Sequence, residues 1–495
     1  MAWRQRVVVV GAGFGGIAVA RALRKERIDV LLIDRNNHHV FQPLLYQVAT
    51  CALSPSEIAF PVRSIFASQK NVEVLFSEVQ SVNLKARRIE TSTGPIDYHF
   101  LVLAAGARNN HFGHDDWVDI AVGLKSLDDA LEIRRRVLVA LEVAEQETAD
   151  LRRRELLTFC VIGGGPTGVE MAGALSELSR TLVGRDFRHI RPEEITVMLL
   201  EGGPSILSTF SEVSRTRAVR QLQKLGVEVQ SNARVTAIDQ NSVTIVRSEG
   251  TPRTIPAANV IWGAGVRASA LTGTLGVPLD RGGRVLVDRS LNVSGYDEVF
   301  AIGDCAACTN PDGKPVPGVA PAASQAGRFV ADQIVRRIRG LPTHQFHYVN
   351  KGNLATIGRS AAVAELGRAK LSGFIAWFLW LAVHICFLIG FRNRYIVLFQ
   401  WVWHYFTNQG GARLITGTRN PHSGWPAQPR RLAKTLSGRA PRSIRSARAL
   451  VFWLAGTSRQ AATRSPIESF RRCVSRDRTE LEMTPLRRSC WFRAP

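Results

Sequence analysis

The sequence predicts an α/β protein: two Rossmann-like dinucleotide-binding units followed by a helical, membrane-anchoring region. Three observations predict it. A glycine-rich turn lies between a strand and a helix near residue 11. The same pattern returns near residue 163. An uncharged apolar stretch, GFIAWFLWLAVHICFLIGF, covers residues 373–391.

Residues 7–10 are four consecutive valines running into glycines, which reads as a parallel strand buried on both faces. IAVARALRKE follows with helical periodicity, and DVLLID at 29–34 is the next strand. The turn between them is Gly11-Ala12-Gly13-Phe14-Gly15-Gly16, with Gly11, Gly13 and Gly16 in the G-x-G-x-x-G positions. Those positions need, in turn, a tight bend, close backbone approach to a pyrophosphate, and close helix–strand packing. The helix N-terminus adds N–H donors and the positive end of a dipole. Asp34 closes the second strand, where an acid accepts from a ribose hydroxyl.

Residues 126–147 read as a long amphipathic helix leading to the second copy. There the turn is Gly163-Gly164-Gly165-Pro166-Thr167-Gly168, and the strand ITVMLLE ends at Glu201. An insert at 183–194 explains why this acid is further from its turn than Asp34 is from Gly11. A carboxylate at Glu201 repels a 2′-phosphate, so NADH is expected rather than NADPH. Two such sites suggest a flavin held at one and a nicotinamide visiting the other. VFAIGD, ending in Gly303-Asp304, can place a carboxylate on a ribityl chain. LVLAAGA and VIWGAGV form paired small-residue crossovers, one after each unit.

The chain has 495 residues and a formal net charge of +23. That charge is uneven: residues 421–495 hold 16 Lys/Arg against 4 Asp/Glu, and the first 420 hold 48 against 37. The Arg-rich tail carries no recognised nucleic-acid motif, so no nucleic-acid partner is expected. Its composition reads as disordered. Seven scattered cysteines and a first strand near the N-terminus point to a reducing compartment, with no leader peptide expected. No metal site is expected.

The motifs GAGFGG, DRNNHHVFQPLLYQVAT, LSPSEIAFPVRSI, VIGGGPTGVEMAGAL, VIWGAGVRAS, VFAIGD, KGNLATIGR and LIGFRNRYIVLFQW carry a resemblance to a known family. Across about residues 6–417 the chain resembles the bacterial type II NADH dehydrogenases, the single-subunit NADH:quinone oxidoreductases. The resemblance implies an FAD domain in two parts, 1–120 and 266–345, with an NADH domain at 121–265. A membrane-associating region at 346–417 and a basic tail at 418–495 follow. It implies tightly bound, non-covalent FAD and NADH as co-substrate. Gly11, Gly13, Gly16, Asp34, Gly303 and Asp304 match the FAD positions, and Gly163, Gly165, Gly168 and Glu201 the NADH positions. Glu170 matches an acid beside the nicotinamide–flavin contact, and a plain helix-packing carboxylate is its rival reading. Gln325 matches a quinone-facing glutamine, with Pro321 where the family often has another. Lys351 either sets a cation near the flavin pyrimidine ring or is an ordinary surface lysine.

The expected reaction passes hydride from NADH to FAD and two electrons to a membrane quinone, without proton pumping. Cys305 and Cys308 fit C-x-x-C and keep a rival in view, a sulfide:quinone oxidoreductase or another two-dinucleotide reductase, with Cys160 as a further thiol. The expected location is the cytoplasmic face of the cell membrane. Basic residues flank 373–391 on both sides, so charge gives no orientation to a span. Gln400, His404 and Asn408 share one helical face, and Phe399, Trp403 and Phe406 lie on another. This interfacial pattern favours an in-plane anchor on the lipid surface, with a single transmembrane helix at 373–391 as runner-up. A homodimer stays open.

Overall fold

In this computed structural model, residues 5–247, 250–407 and 413–415 are described. They all fall within the first of two compact units, which ends at Pro421. The tail at 418–495, Asn408 and the side chain of His404 lie outside the described residues.

The valine run forms the Arg6–Val10 strand at the centre of a six-stranded sheet. Its parallel neighbours are Asp29–Asp34 and Phe100–Leu103. Val72–Phe76 lies outside the first of these. Tyr296–Ala301, more than 190 residues further on, pairs in parallel with Phe100–Leu103. Val7, Val8 and Val9 are fully buried, as a strand covered on both faces requires. The sheet thus combines residues before 104 with residues after 291.

A second sheet of five strands takes its residues from between. Its order is Ala121–Gly123, Asn259–Trp262, Thr158–Ile162, Thr196–Leu200 and Val227–Gln230, all parallel. Leu127–Gln146 is the long helix leading into it. Ser126 caps it, accepting from the Asp129 N–H while Asp129 accepts from the Ser126 N–H. Arg134 on this helix is buried. It donates to the carbonyls of Val48 and Leu53 at 2.8 and 2.7 Å, pinning the short Leu45–Ala49 helix of the first unit.

Helix contacts are close where glycine allows. A Cβ on Gly327 would lie 2.4 Å from the Gly15 carbonyl, so the Phe14–Ala22 and Ala320–Ile338 helices pack almost backbone to backbone. A Cβ on Gly173 would lie 1.6 Å from the Ile357 carbonyl, so the Pro166–Asp186 helix meets the Asn353–Gly358 strand in the same way.

The 373–391 stretch is not one helix, which corrects the transmembrane runner-up. The helix there is Phe374–Phe387, 14 residues, or about 21 Å at ~1.5 Å per residue, short of a ~30 Å hydrocarbon core. The chain then turns through Gly390, at φ +89°, where a Cβ would strike the Phe60 ring. Phe391–Thr407 follows as a separate helix. Among the described residues no helix is long and apolar enough to cross a membrane.

Candidate functional site

The two glycine turns are built alike. Gly11 and Gly163 both have positive φ, +105° and +108°. A Cβ on Gly11 would lie 2.3 Å from the Ala104 carbonyl, and one on Gly163 lies 2.5 Å from the Gly263 carbonyl carbon. The predicted small-residue crossovers are therefore what the turns pack against. Gly16 and Gly168 sit over their own turns, where a Cβ would be 1.9 and 1.8 Å from the carbonyls of Gly11 and Gly163. Gly13 and Gly165 differ: nothing lies within 4 Å of a Cβ built on either. Each is the N-cap of its helix, so the open space faces free backbone N–H groups. That arrangement fits a dinucleotide pyrophosphate at both turns.

The acids are set in parallel too. Asp34 accepts from the N–H groups of Ala12 and Asn36 at 2.6 and 2.7 Å. Glu201 accepts from those of Gly164 and Gly203 at 2.5 and 2.6 Å. Each carboxylate is thus locked to its own turn, with lone pairs left for a ribose.

Asp304 follows the Tyr296–Ala301 strand and meets Lys125 Nζ at 2.8 Å, both half-buried. Sequence reasoning missed Lys125; it directly precedes the Ser126 cap, which was the available signal. Gln325, in the Ala320–Ile338 helix, has both ends of its amide on the Val349 backbone at 3.0 Å. Lys351, two residues beyond, is exposed. The fold therefore brings Gln325 and Lys351 into one neighbourhood.

Glu170 lies elsewhere, on the Pro166–Asp186 helix, facing a cavity of about 130 Å³. Burial pushes its pKa up to about 8, against a weak bond from the Thr356 N–H at 3.4 Å and the nearby Trp380 indole. Glu170 is therefore mainly a neutral acid at pH 7. The cavity joins three parts of the chain. Tyr46 and Gln47 come from the Leu45–Ala49 helix, Glu170 from the nucleotide unit, and Trp380 and Trp401 from the two C-terminal helices. A string of hydrogen bonds crosses it: the Trp401 indole donates to Gln47 Oε1 at 2.8 Å, and Gln47 Nε2 donates to the Tyr46 hydroxyl at 2.8 Å. Tyr46, Gln47, Trp380 and Trp401 were not singled out from sequence. A glutamine and a tyrosine inside the otherwise apolar PLLYQVA run were the signal.

A family profile for pyridine nucleotide-disulphide oxidoreductases matches residues 5–327. A profile for the NDH2 C-terminal domain matches 350–408. A type II NADH:quinone oxidoreductase of Mycobacterium tuberculosis is 43% identical over 424 residues, covering 83% of this chain and 90% of that one. The chain belongs to the type II NADH:quinone oxidoreductases. The Staphylococcus aureus member is 29% identical over 76% of this chain and 93% of its own. By fold, NDH2 of Plasmodium falciparum in complex with NADH superposes with a TM-score of 0.77 at 20% identity, covering 83% of this chain and all of that one. Sulfide:quinone oxidoreductase of Aquifex aeolicus superposes at 0.65 and 20% identity, covering 82% and 96%. Type II NADH:quinone oxidoreductases are oxidoreductases that use FAD and NADH, and the two turns fit both.

The cysteines give the sulfide rival little support. Cys305 and Cys308 are buried on different faces of the sheet, in separate cores. Burial pushes both thiols up to about 11, and Cys160 to about 12, so none forms a thiolate readily.

Proposed function

We propose that this chain carries electrons from NADH through FAD to a quinone while resting on a lipid surface. One observation supports this most. The neutral acid Glu170 lines a cavity that is also lined by Trp380 and Trp401, from the helices with the exposed aromatic face. FAD, when bound, accepts two electrons as a hydride and releases them to the next acceptor. Gly11, Gly13 and Gly16 would hold its pyrophosphate and Asp34 its ribose; Gly303 and Asp304 would meet the ribityl chain, with Lys125 fixing Asp304. The FAD half is drawn from 1–120 and 266–345. Gly163, Gly165, Gly168 and Glu201 hold NADH in the 121–265 part. Lys351 would supply positive charge to the flavin ring, and Gln325 holds the Val349 backbone two residues before it. Glu170 holds a proton at neutral pH and gives it up when the quinone is reduced.

The C-terminal helices supply the lipid contact. Phe374, Ile375 and Phe378 are exposed on the first, and Phe391, Phe399 and Phe406 on the second. The opposite face of the second helix is tied to the body. Asn393 donates to the carbonyls of Ser56 and Glu57, and Gln400 donates to the Glu57 carboxylate. A helix fixed on one side and aromatic on the other lies in an interface rather than across it. The body sits on the cytoplasmic face, and no proton crosses the membrane.

Rapid mixing tests the relay. NADH bleaches the flavin absorbance of the holoenzyme, and a soluble quinone analogue restores it. Glu170→Gln slows the second phase more than the first. Bleaching with no return on adding quinone would end this reading.

A further inference from the structure

The Pro166–Asp186 helix carries a second enclosed carboxyl, and the steps above leave it unused. Glu177 follows Glu170 by seven residues, so both project from one face, about 10 Å apart along the axis. Both line the same cavity. Glu177 Oε1 accepts the Arg359 backbone N–H at 2.6 Å. It also packs on Gly358, where an added Cβ would lie 2.6 Å from the same oxygen.

Four groups face Glu177. Arg359 comes from the turn after the Asn353–Gly358 strand, and its side chain reaches the solvent surface. Tyr46 comes from the Leu45–Ala49 helix, close enough to feel the charge of both Glu170 and Glu177. Glu170 lies two turns back on the same helix. Tyr405 comes from the Phe391–Thr407 helix; the Arg359 guanidinium lies 4.5 Å over its ring and donates to its carbonyl.

We infer that Glu177 resupplies Glu170 with protons, carrying them from solvent at the Arg359 end of the cavity to the Glu170 end. The inference rests on the proton-donor reading of Glu170. Reducing a quinone to a quinol takes two electrons and two protons. NADH brings both electrons and one proton as hydride, and the second proton comes from water. Glu170 gives that proton to a quinol oxygen and is left as a carboxylate. Glu177 hands its own proton on to Glu170, and solvent beside Arg359 restores it.

Three features support this order. The cavity has room for several waters at roughly 30 Å³ each, and the Tyr46 hydroxyl, near both acids, adds a fixed polar station. The arginine beside Glu177 marks the solvent end. Burial outweighs that arginine and raises Glu177 to about 7, so it holds a proton near neutral pH and can pass one on to Glu170. A carboxyl that merely clips the helix to the strand would need only its bond to the Arg359 N–H.

The test compares full-length holoenzymes: wild type, Glu177→Gln, Glu177→Asp and Glu170→Gln. Glu177→Gln is expected to slow quinone-limited turnover about tenfold, with a larger solvent deuterium isotope effect and a steeper loss above pH 7. Glu177→Asp restores most of the rate. Infrared spectra of the resting proteins give a readout apart from turnover. The protonated-carboxyl band of wild type titrates near neutral pH, and Glu177→Gln lacks that component. A Glu177→Gln enzyme with the wild-type pH profile and isotope effect overturns the inference. So does an impaired Glu177→Gln that Glu177→Asp fails to rescue, which marks a structural clip. If Glu177→Gln does not fold, a shifted infrared titration in Glu177→Asp carries the test, and an unshifted one overturns it. Glu170→Gln with unchanged quinone reduction rejects the donor reading itself, a separate failure.

Discussion

Replacing Glu201 with glutamine should weaken the choice of NADH over NADPH by about thirtyfold. Glu201 ends the Thr196–Leu200 strand and is held by the N–H groups of Gly164 and Gly203 at 2.5 and 2.6 Å. Those bonds aim the carboxylate at the place where a ribose follows the Gly163 turn. A 2′-phosphate there would meet the carboxylate as a like charge, and about 4 Å serves as the reference separation. Two unit charges at that distance repel by about 4 kcal/mol at an effective dielectric constant of ~20. Glu201 is partly exposed, so solvent and salt reduce this to about 2 kcal/mol, or about thirtyfold. Glutamine also turns an NH₂ toward one of two backbone donors, losing a charge-assisted bond worth ~1.5–3 kcal/mol. That loss affects both nucleotides, so the KM for NADH rises about tenfold while the ratio reports the charge. The assay is steady-state kcat/KM for each nucleotide at fixed salt, with the ratio repeated at higher ionic strength. An unchanged ratio in Glu201→Gln would refute the charge argument. A normal KM for NADH would refute the placement of the ribose.

Glu170 makes pH a probe of both rate and stability. Its pKa is raised from 4.5 to about 8, so the folded state binds the proton more tightly than the unfolded state. Stability is therefore expected to fall as pH rises from about 4.5 to 8, and Glu170→Gln should flatten that slope in thermal melts. Quinone reduction should decline over the upper part of that window as the donor proton is lost. Serine at both Cys305 and Cys308 should leave NADH:quinone turnover within about twofold, since neither thiol ionises readily; lost turnover with flavin retained would revive a thiol mechanism. Glutamate at both Phe399 and Trp403, which are 65% and 51% exposed, removes about 1–2 kcal/mol of apolar contact per site and adds two charges. That variant should leave liposomes in a flotation assay yet still reduce a soluble acceptor.

Much of the nucleotide chemistry was legible in the sequence because it depends on local constraints. Gly16 and Gly168 are fixed by contacts within a strand–turn–helix unit, Gly11 and Gly163 by the positive-φ bend each makes there, and Asp34 and Glu201 by strand ends. Spacing along the chain records such contacts directly. The long helix and the aromatic face carrying Phe399, Trp403 and Phe406 were legible for the same reason. The cavity was not. Tyr46, Glu170, Trp380 and Trp401 come from four helices far apart in the chain, and Gly173 lets one of these helices touch a strand more than 180 residues away; no periodicity encodes that meeting. The Lys125–Asp304 ion pair and the buried Arg134 clamp are likewise products of long-range folding. Gln400, read with His404 and Asn408 as one polar face of an interfacial helix, bonds Glu57 in the body. A polar face can meet protein as well as water. The apolar run at 373–391 looked long enough to span because composition does not reveal the break after Phe387.

The central claim is a relay from NADH to quinone at a lipid surface, without transmembrane proton transfer. It is tested most directly in proteoliposomes containing the purified holoenzyme, quinone in the bilayer and a pH-sensitive dye inside. The account predicts one quinone reduced per NADH oxidised, protein that floats with the vesicles, and no change in the internal dye. Acidification of the lumen in the absence of other proteins, or NADH oxidation that leaves the bilayer quinone untouched, would contradict it.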